Sequence, residues 1–376
     1  MTTISPKRKE NENANVVSSS SSKKLKTQNG AKKFPLGSNA ATAGNYPVGP
    51  NFLHSLFKGN AGRFGLDTLG GVIYCCQRDM KALDVWAAMV EKGVQSIPVM
   101  LKNDYHKYYG IIDVQDVLNF ILTHLGDKAS EEKKTLAELS KGVVKLERGL
   151  VKDVMVHPLS RKNPFHPVCA NHSVLSVIEL LAKEPHLHRV PVLDNLQERK
   201  LVNLITQSHV LDFLVKNLNV LGERAKKPVR ECREFFKDVH TCNENDTTVS
   251  AFRKMAEFKV SGLAIVDDTG RLKGALSCRD VRVLGKDLHF FWRMNQTVHN
   301  FVRKLRNMSD TTEEASSEEH RPRTIVKCIP SDTLGDVITK LHKFKLHKIY
   351  LVDTPSDRKL KGVVSLRDVL KECLKL

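Results

Sequence analysis

No stretch of this chain approaches the ~18 consecutive apolar residues of a membrane-crossing helix. The N-terminus lacks the apolar core of a secretory signal. The 8 cysteines contain no Cys-x-x-Cys and no regular spacing, though Cys75 and Cys76 are adjacent. Reduced thiols in an intracellular protein are therefore expected. The glycine-rich stretch at 59–71 contains no Gly-Lys-Ser or Gly-Lys-Thr, and no clear strand leads into it, which excludes a P-loop. No Ser/His/Asp or Cys/His arrangement has supporting context, so the chain does not read as an enzyme. His157, His166, His172, His186 and His188 lie close in sequence. Three or four converging donors would be needed to hold a metal. Pro158, Pro164 and Pro167 deny these histidines a common helix face, so no metal site is expected.

Acidic residues are also in deficit. The formal charge is +18 over 376 residues. Such a balance suits anionic partners without choosing among them. With 6 Tyr, 2 Trp and no recognised nucleic-acid motif, nucleic acid is disfavoured as a partner. Residues 1–60 are rich in Ser, Asn, Lys and Gly and cannot bury enough apolar surface to offset their ordering entropy. They read as a disordered tail. Basic clusters at 6–9 and 23–26 resemble a two-part nuclear import signal. The expected location is cytoplasmic, and nuclear if these clusters act.

The rest of the chain is repetitive. Residues 347–374 read as strand, turn, strand, helix: HKIYLVD, a polar turn, then LKGVVSLRDVLKECL. Earlier copies contain SGLAIVD and GALSCRDV (261–281), HRVPVLD and LVNLITQSHVLDFL (188–214), and QSIPVM and YGIIDVQDVLNFIL (95–122). Each copy has an amphipathic helix in front. The expected buried stripes are Leu83, Trp86, Ala87 and Val90; Val174, Val177, Ile178 and Leu181; Val249, Phe252 and Ala256; and Leu334, Val337, Ile338 and Leu341. Four units follow at 67–125, 151–218, 234–288 and 322–376. A helix is expected within 126–150, a proline-broken loop at 157–171, a basic linker at 219–233, a helical link at 290–305 and an acidic loop at 309–319. One unit of ~60 residues is marginal alone, so the copies should pair, two by two, through their sheet faces. The expected class is α/β, as an α+β arrangement.

These four units resemble CBS motifs, each β-α-β-β-α, of which two form a Bateman module. The set most resembles the gamma regulatory subunits of AMP-activated protein kinase and their yeast and plant relatives. The resemblance implies two modules in a disc-like assembly. It also implies a non-catalytic, energy-sensing subunit that binds AMP, ADP and ATP, beside a catalytic alpha and a beta subunit. No cofactor is implied. The alternative is a stand-alone CBS protein that binds an adenosyl ligand and regulates another enzyme or transporter.

The resemblance implies the site as well. A [Ser/Thr]-x-x-Asp at the strand-to-helix junction would hold ribose, the carboxylate accepting from two vicinal hydroxyls. Ser277 with Asp280 and Ser365 with Asp368 match. Asp116 keeps the acid behind Asp113, whereas Thr206 is followed by His209 in its place. The same pattern is also a helix capping box, a purely structural device. His188, Arg189, His347 and Lys348 are implied phosphate ligands, and Val260 and Ser261 further nucleotide contacts. Gln95 and Ser208 stand where the family carries cations. At most two usable sites are expected, at Asp280 and Asp368.

Overall fold

The computed structural model describes residues 73–101, 104–125, 136–155, 166–169, 172–194, 197, 200–286, 288, 291–308 and 325–375. The expected tail and acidic loop lie outside these residues.

Each repeat folds into a three-stranded sheet. In the first, β1 (Cys76–Gln77) pairs parallel with β2 (Ser96–Leu101), which pairs antiparallel with β3 (Asp104–Asp113). Helix α1 (Ala82–Glu91) is the crossover, and α2 (Val114–Thr123) closes the unit. Two connecting helices follow, α3 (Leu136–Arg148) and α4 (Val151–Met155). Leu139, Val143 and Leu146 of α3 are buried, as the spacing within 126–150 requires. The second repeat comprises β4 (Val168–Cys169), α5 (Val174–Lys183), β5 (Arg189–Leu193), β6 (Leu201–Thr206) and α6 (Gln207–Lys216). The third comprises β7 (Thr241–Asn243), α7 (Thr248–Phe258), β8 (Gly262–Val266) and β9 (Leu272–Ser277). After a short 3-10 turn (Phe291–Asn295), α8 (Val298–Met308) links it onward. The fourth comprises β10 (Lys327–Cys328), α9 (Leu334–Lys343), β11 (Lys348–Val352), β12 (Leu360–Ser365) and α10 (Leu366–Leu374).

Local chemistry explains these elements. The middle strands β2, β5, β8 and β11 are rich in Val, Ile and Leu, which suit a pleated surface. Ser173, Thr247 and Thr333 cap α5, α7 and α9, each accepting from a backbone N–H three residues on.

Four expectations need correction. The buried face of α1 is Ala82, Val85, Trp86 and Met89, with Leu83, Ala87 and Val90 only partly covered. Apolar residues almost encircle this helix. Its facing is set instead by Trp86, which is fully buried and donates from Nε1 to the Gly285 carbonyl at 2.9 Å. The loop expected at 157–171 contains β4, because Val168 pairs with Val192. The helix expected after Ser277 is a 3-10 turn (Cys278–Leu284) that ends at Gly285, whose φ of 86° a side chain would resist.

The basic linker is a packed strap. Val229, Cys232 and Phe235 are fully buried. Ion pairs tie the strap to α10: Lys227 to the buried Glu372 at 3.0 Å, and Glu234 to Lys371 at 3.1 Å and Lys375 at 3.3 Å.

The packing closes a ring. Sheet faces meet between repeats one and two (Met100, Tyr108, Leu193) and between repeats three and four (Ala264, Leu272, Tyr350, Val352). The two large cores run across these pairs. One joins repeats one and three and includes Trp86, Leu118, Phe252 and Phe301. The other joins repeats two and four and includes Ile178, Phe213, Phe235 and Ile338. Strand-to-helix junctions from all four repeats meet at the centre of the ring.

Candidate functional site

The same short backbone unit builds all four junctions. The residue before the middle strand accepts, through its carbonyl, the first N–H of the closing turn. Gln95 accepts from Val114 at 2.9 Å, His188 from Gln207 at 3.2 Å, Ser261 from Cys278 at 3.0 Å and His347 from Leu366 at 3.0 Å. One residue on, Ser96 faces Asp113, Arg189 faces Thr206, Gly262 faces Ser277 and Lys348 faces Ser365 across the ladder. His-plus-cation therefore occupies this place in repeats two and four, and Gln-Ser or Ser-Gly in repeats one and three. Val260, just before Ser261, packs on the core of repeats one and three.

The ribose candidates are all helix caps. Asp116 Oδ2 accepts from the Asp113 N–H at 2.8 Å, Asp280 Oδ2 from Ser277 at 2.7 Å, and Asp368 Oδ2 from Ser365 at 2.8 Å. The Ser365 hydroxyl also donates to Asp368 Oδ2 at 2.7 Å. The structural role of the motif is therefore present at all three. Capping engages Oδ2 in each case, and the three side chains are buried. Thr206 caps α6 by accepting from the His209 N–H at 3.2 Å. His209 stands where the acid would be. Burial lowers its pKa, and its Nδ1 is enclosed with no hydrogen-bond partner among the described residues.

The four phosphate candidates come together. The His347 ring nitrogen Nε2 lies 3.3 Å from Gln95 Nε2 and 3.4 Å from Ser208 Oγ. Burial, then the positive fields of Arg279, His188, Arg189 and Lys348, push the His347 pKa down to about 3. Burial, then Arg189, lowers His188 to about 4. Burial lowers Lys348 to about 8, and Lys237 adds to the drop. Burial is the first cause of each shift, since it disfavours the charged form, and neighbouring positive groups add to it. An incoming anion would favour the charged forms. Lys348 Nζ also lies 3.5 Å from the Gly262 carbonyl, joining repeats three and four beside Ser261.

Arg189 is differently placed. It donates from Nη1 to Asp113 Oδ2 at 3.1 Å, both side chains being largely buried, and its Nε is enclosed without a partner among the described residues. Asp113, Arg279 and Lys237 were not singled out from sequence. Asp113 was legible, since an acid there replaces the hydroxyl of the motif. Arg279 was legible too, inside Ser277-x-x-Asp280. Lys237 lies in the strap, and no periodicity points to it.

Among the described residues, no group of three His, Cys, Asp or Glu side chains is placed to hold a metal. No helix is long and apolar enough to cross a membrane.

Comparison with known proteins accords with this geometry. The CBS domain model matches residues 72–123, 151–216, 232–285 and 322–375. The "5'-AMP-activated protein kinase subunit gamma" of Dictyostelium discoideum is 23% identical over 310 residues, covering 81% of this chain and 50% of that protein. A "SNF1-related protein kinase regulatory subunit gamma-1-like" of Arabidopsis thaliana is 30% identical over 214 residues, covering 55% of this chain and 46% of that protein. The chain thus spans about half the length of these relatives. A crystal structure from Methanocaldococcus jannaschii, described as a candidate archaeal homologue of g-AMPK, superposes with a TM-score of 0.61 at 16% identity. It covers 82% of this chain and 99% of its own, a likeness of fold. With four matched units on four matching sheets, the chain belongs to the CBS-domain family and resembles the gamma subunits of AMP-activated protein kinase.

Proposed function

We propose that this chain is an adenine-nucleotide-binding regulatory subunit of an AMP-activated-type protein kinase complex, acting with a catalytic alpha and a beta subunit. AMP, ADP and ATP compete for its central sites. They act by differential affinity for two states of the assembly. One observation carries the reading. His347 Nε2 lies 3.3 Å from Gln95 and 3.4 Å from Ser208, of repeats one and two, in a buried centre that also feels the positive fields of Arg279, Arg189 and Lys348. Such a centre suits phosphates delivered from several junctions at once.

Two junctions are equipped for ribose. Asp368 with Ser365 lies beside Lys348 and the Ser261 junction, and Asp280 with Ser277 lies beside Arg279. The Asp116 junction has Gln95 and Ser208 where cations would stand, and its neighbour Asp113 engages Arg189. At most two sites are therefore usable.

Calorimetric titration of the chain with AMP, ADP and ATP, in parallel with S-adenosylmethionine, tests this. Mutual competition among the nucleotides, lost in Asp280→Ala and Asp368→Ala, is the expected result. Co-purification of a kinase and a beta-type subunit tests the complex. Silence for all three nucleotides removes the sensor reading. Binding of S-adenosylmethionine alone points to a stand-alone CBS regulator.

A further inference from the structure

Lys237 lies before the first strand of repeat three, away from its strand-to-helix junction, yet it meets the acid of repeat four. Its ammonium donates to Asp368 Oδ2 at 2.5 Å; the lysine side chain is 44% exposed and the aspartate 5%. The strap fixes its approach. Phe235, two residues earlier, is fully buried, and a Cβ placed on Gly362 would lie 1.9 Å from the Phe235 carbonyl oxygen. The strap backbone therefore lies flat on β12, and Lys237 issues from an anchored point. Its field also reaches Lys348. The Lys237 ammonium thus holds a buried carboxylate at a junction where ribose would have to bind.

Building on the nucleotide reading above, we propose that Lys237 sets the ligand charge this junction accepts. A ribose diol and the Lys237 ammonium compete for the Asp368 carboxylate. A neutral nucleoside must break a charge-assisted hydrogen bond and offers the displaced ammonium nothing in return. A nucleotide offers its phosphate. Lys237 transfers from carboxylate to phosphate, and the acid is released to the ribose. Selection between nucleoside and nucleotide then resides in the strap, outside the strand-to-helix junctions.

Adenosine and AMP titrated calorimetrically against the full chain and its Lys237→Met and Lys237→Arg variants test the proposal. Half-exposed Lys237 should tolerate both changes, and Lys237→Gln provides a second neutral variant. In the neutral variants adenosine should bind more tightly and AMP more weakly. Their affinity ratio should fall at least about tenfold, the size of one charge-assisted hydrogen bond. Lys237→Arg should keep the wild-type ratio within about threefold. An unchanged ratio in both neutral variants, with AMP still bound, overturns the proposal and leaves the nucleotide reading standing. Failure of AMP to bind any of the proteins, wild type included, overturns both.

Discussion

Asp113 shows how one residue can change the connections of a repeated junction. Repeats two to four cap the closing turn with a neutral hydroxyl, from Thr206, Ser277 or Ser365. Repeat one uses a carboxylate, and its two oxygens divide the labour. Oδ1 accepts the Asp116 N–H at 2.9 Å, while Oδ2 takes Arg189 at 3.1 Å. The cap survives, but the Arg189 guanidinium, proposed above to face phosphate, is tied up by an internal anion. Asp113→Ser should keep the cap and free the guanidinium, strengthening nucleotide or phosphate binding about tenfold by titration. Unchanged affinity would mean that Arg189 serves the fold alone. His188 and His347 make a second argument at this scale. Their folded pKa values, about 4 and about 3, lie below the ordinary value near 6.5. Between these limits the unfolded chain binds more protons than the folded one. Stability should therefore fall as pH drops below about 6.5, by up to about 1.4 kcal/mol per pH unit for each ring. Urea midpoints at pH 7.5 and 5.5 measure the slope, and His188→Gln with His347→Gln should flatten it.

Among the elements, the strap carries the most consequence for its length. Composition reads it as a basic linker, because its charged residues outnumber its apolar ones. Three of its apolar residues, Val229, Cys232 and Phe235, are nonetheless fully buried, and burial depends on where a side chain lands rather than on average polarity. Gly362→Ala tests the seat beneath it. The new methyl would meet the backbone of Phe235 and Phe236, which cannot rotate away as a flexible side chain could. A loss of about 2 kcal/mol is expected in urea unfolding, within the range for overpacked cores. The strap was hard to read because it occurs once. The repeats were legible because they occur four times: the stripes of α5 and α9 are buried where the 3.6-residue period places them. Helix α1 was misread for the opposite reason, since apolar residues on several faces leave the period without a unique direction. At the site, Ser365-x-x-Asp368 is visible in sequence as either cap or ligand, and the cap is what the hydrogen bonds establish.

At the scale of the whole molecule, the ring has unequal joints. Repeats adjacent in sequence share small sheet-face contacts, while both large cores cross between the two sequential pairs. Sequence patterning identifies which faces are apolar. It does not identify which partner covers each, because every repeat presents similar Val, Leu and Ile. Consecutive repeats should therefore depend on the cross-ring cores for their stability. Cut between repeats two and three, the first half would expose Trp86, Leu118 and Leu139 from one core and Ile178, Leu181 and Phe213 from the other. Each large apolar side chain contributes roughly 1.5–3 kcal/mol on burial. Uncovering several exceeds the 5–15 kcal/mol that typically separates folded from unfolded chains. Residues 67–225 and 226–376 expressed separately should each aggregate, self-associate or unfold without a cooperative transition. Co-expressed, they should purify as a one-to-one complex that melts as a single unit. Size-exclusion chromatography with light scattering, followed by thermal melting, decides the matter. A stable, monomeric half with a sharp transition would show that the sheet-face joint is sufficient, and that the cross-ring cores serve assembly rather than folding.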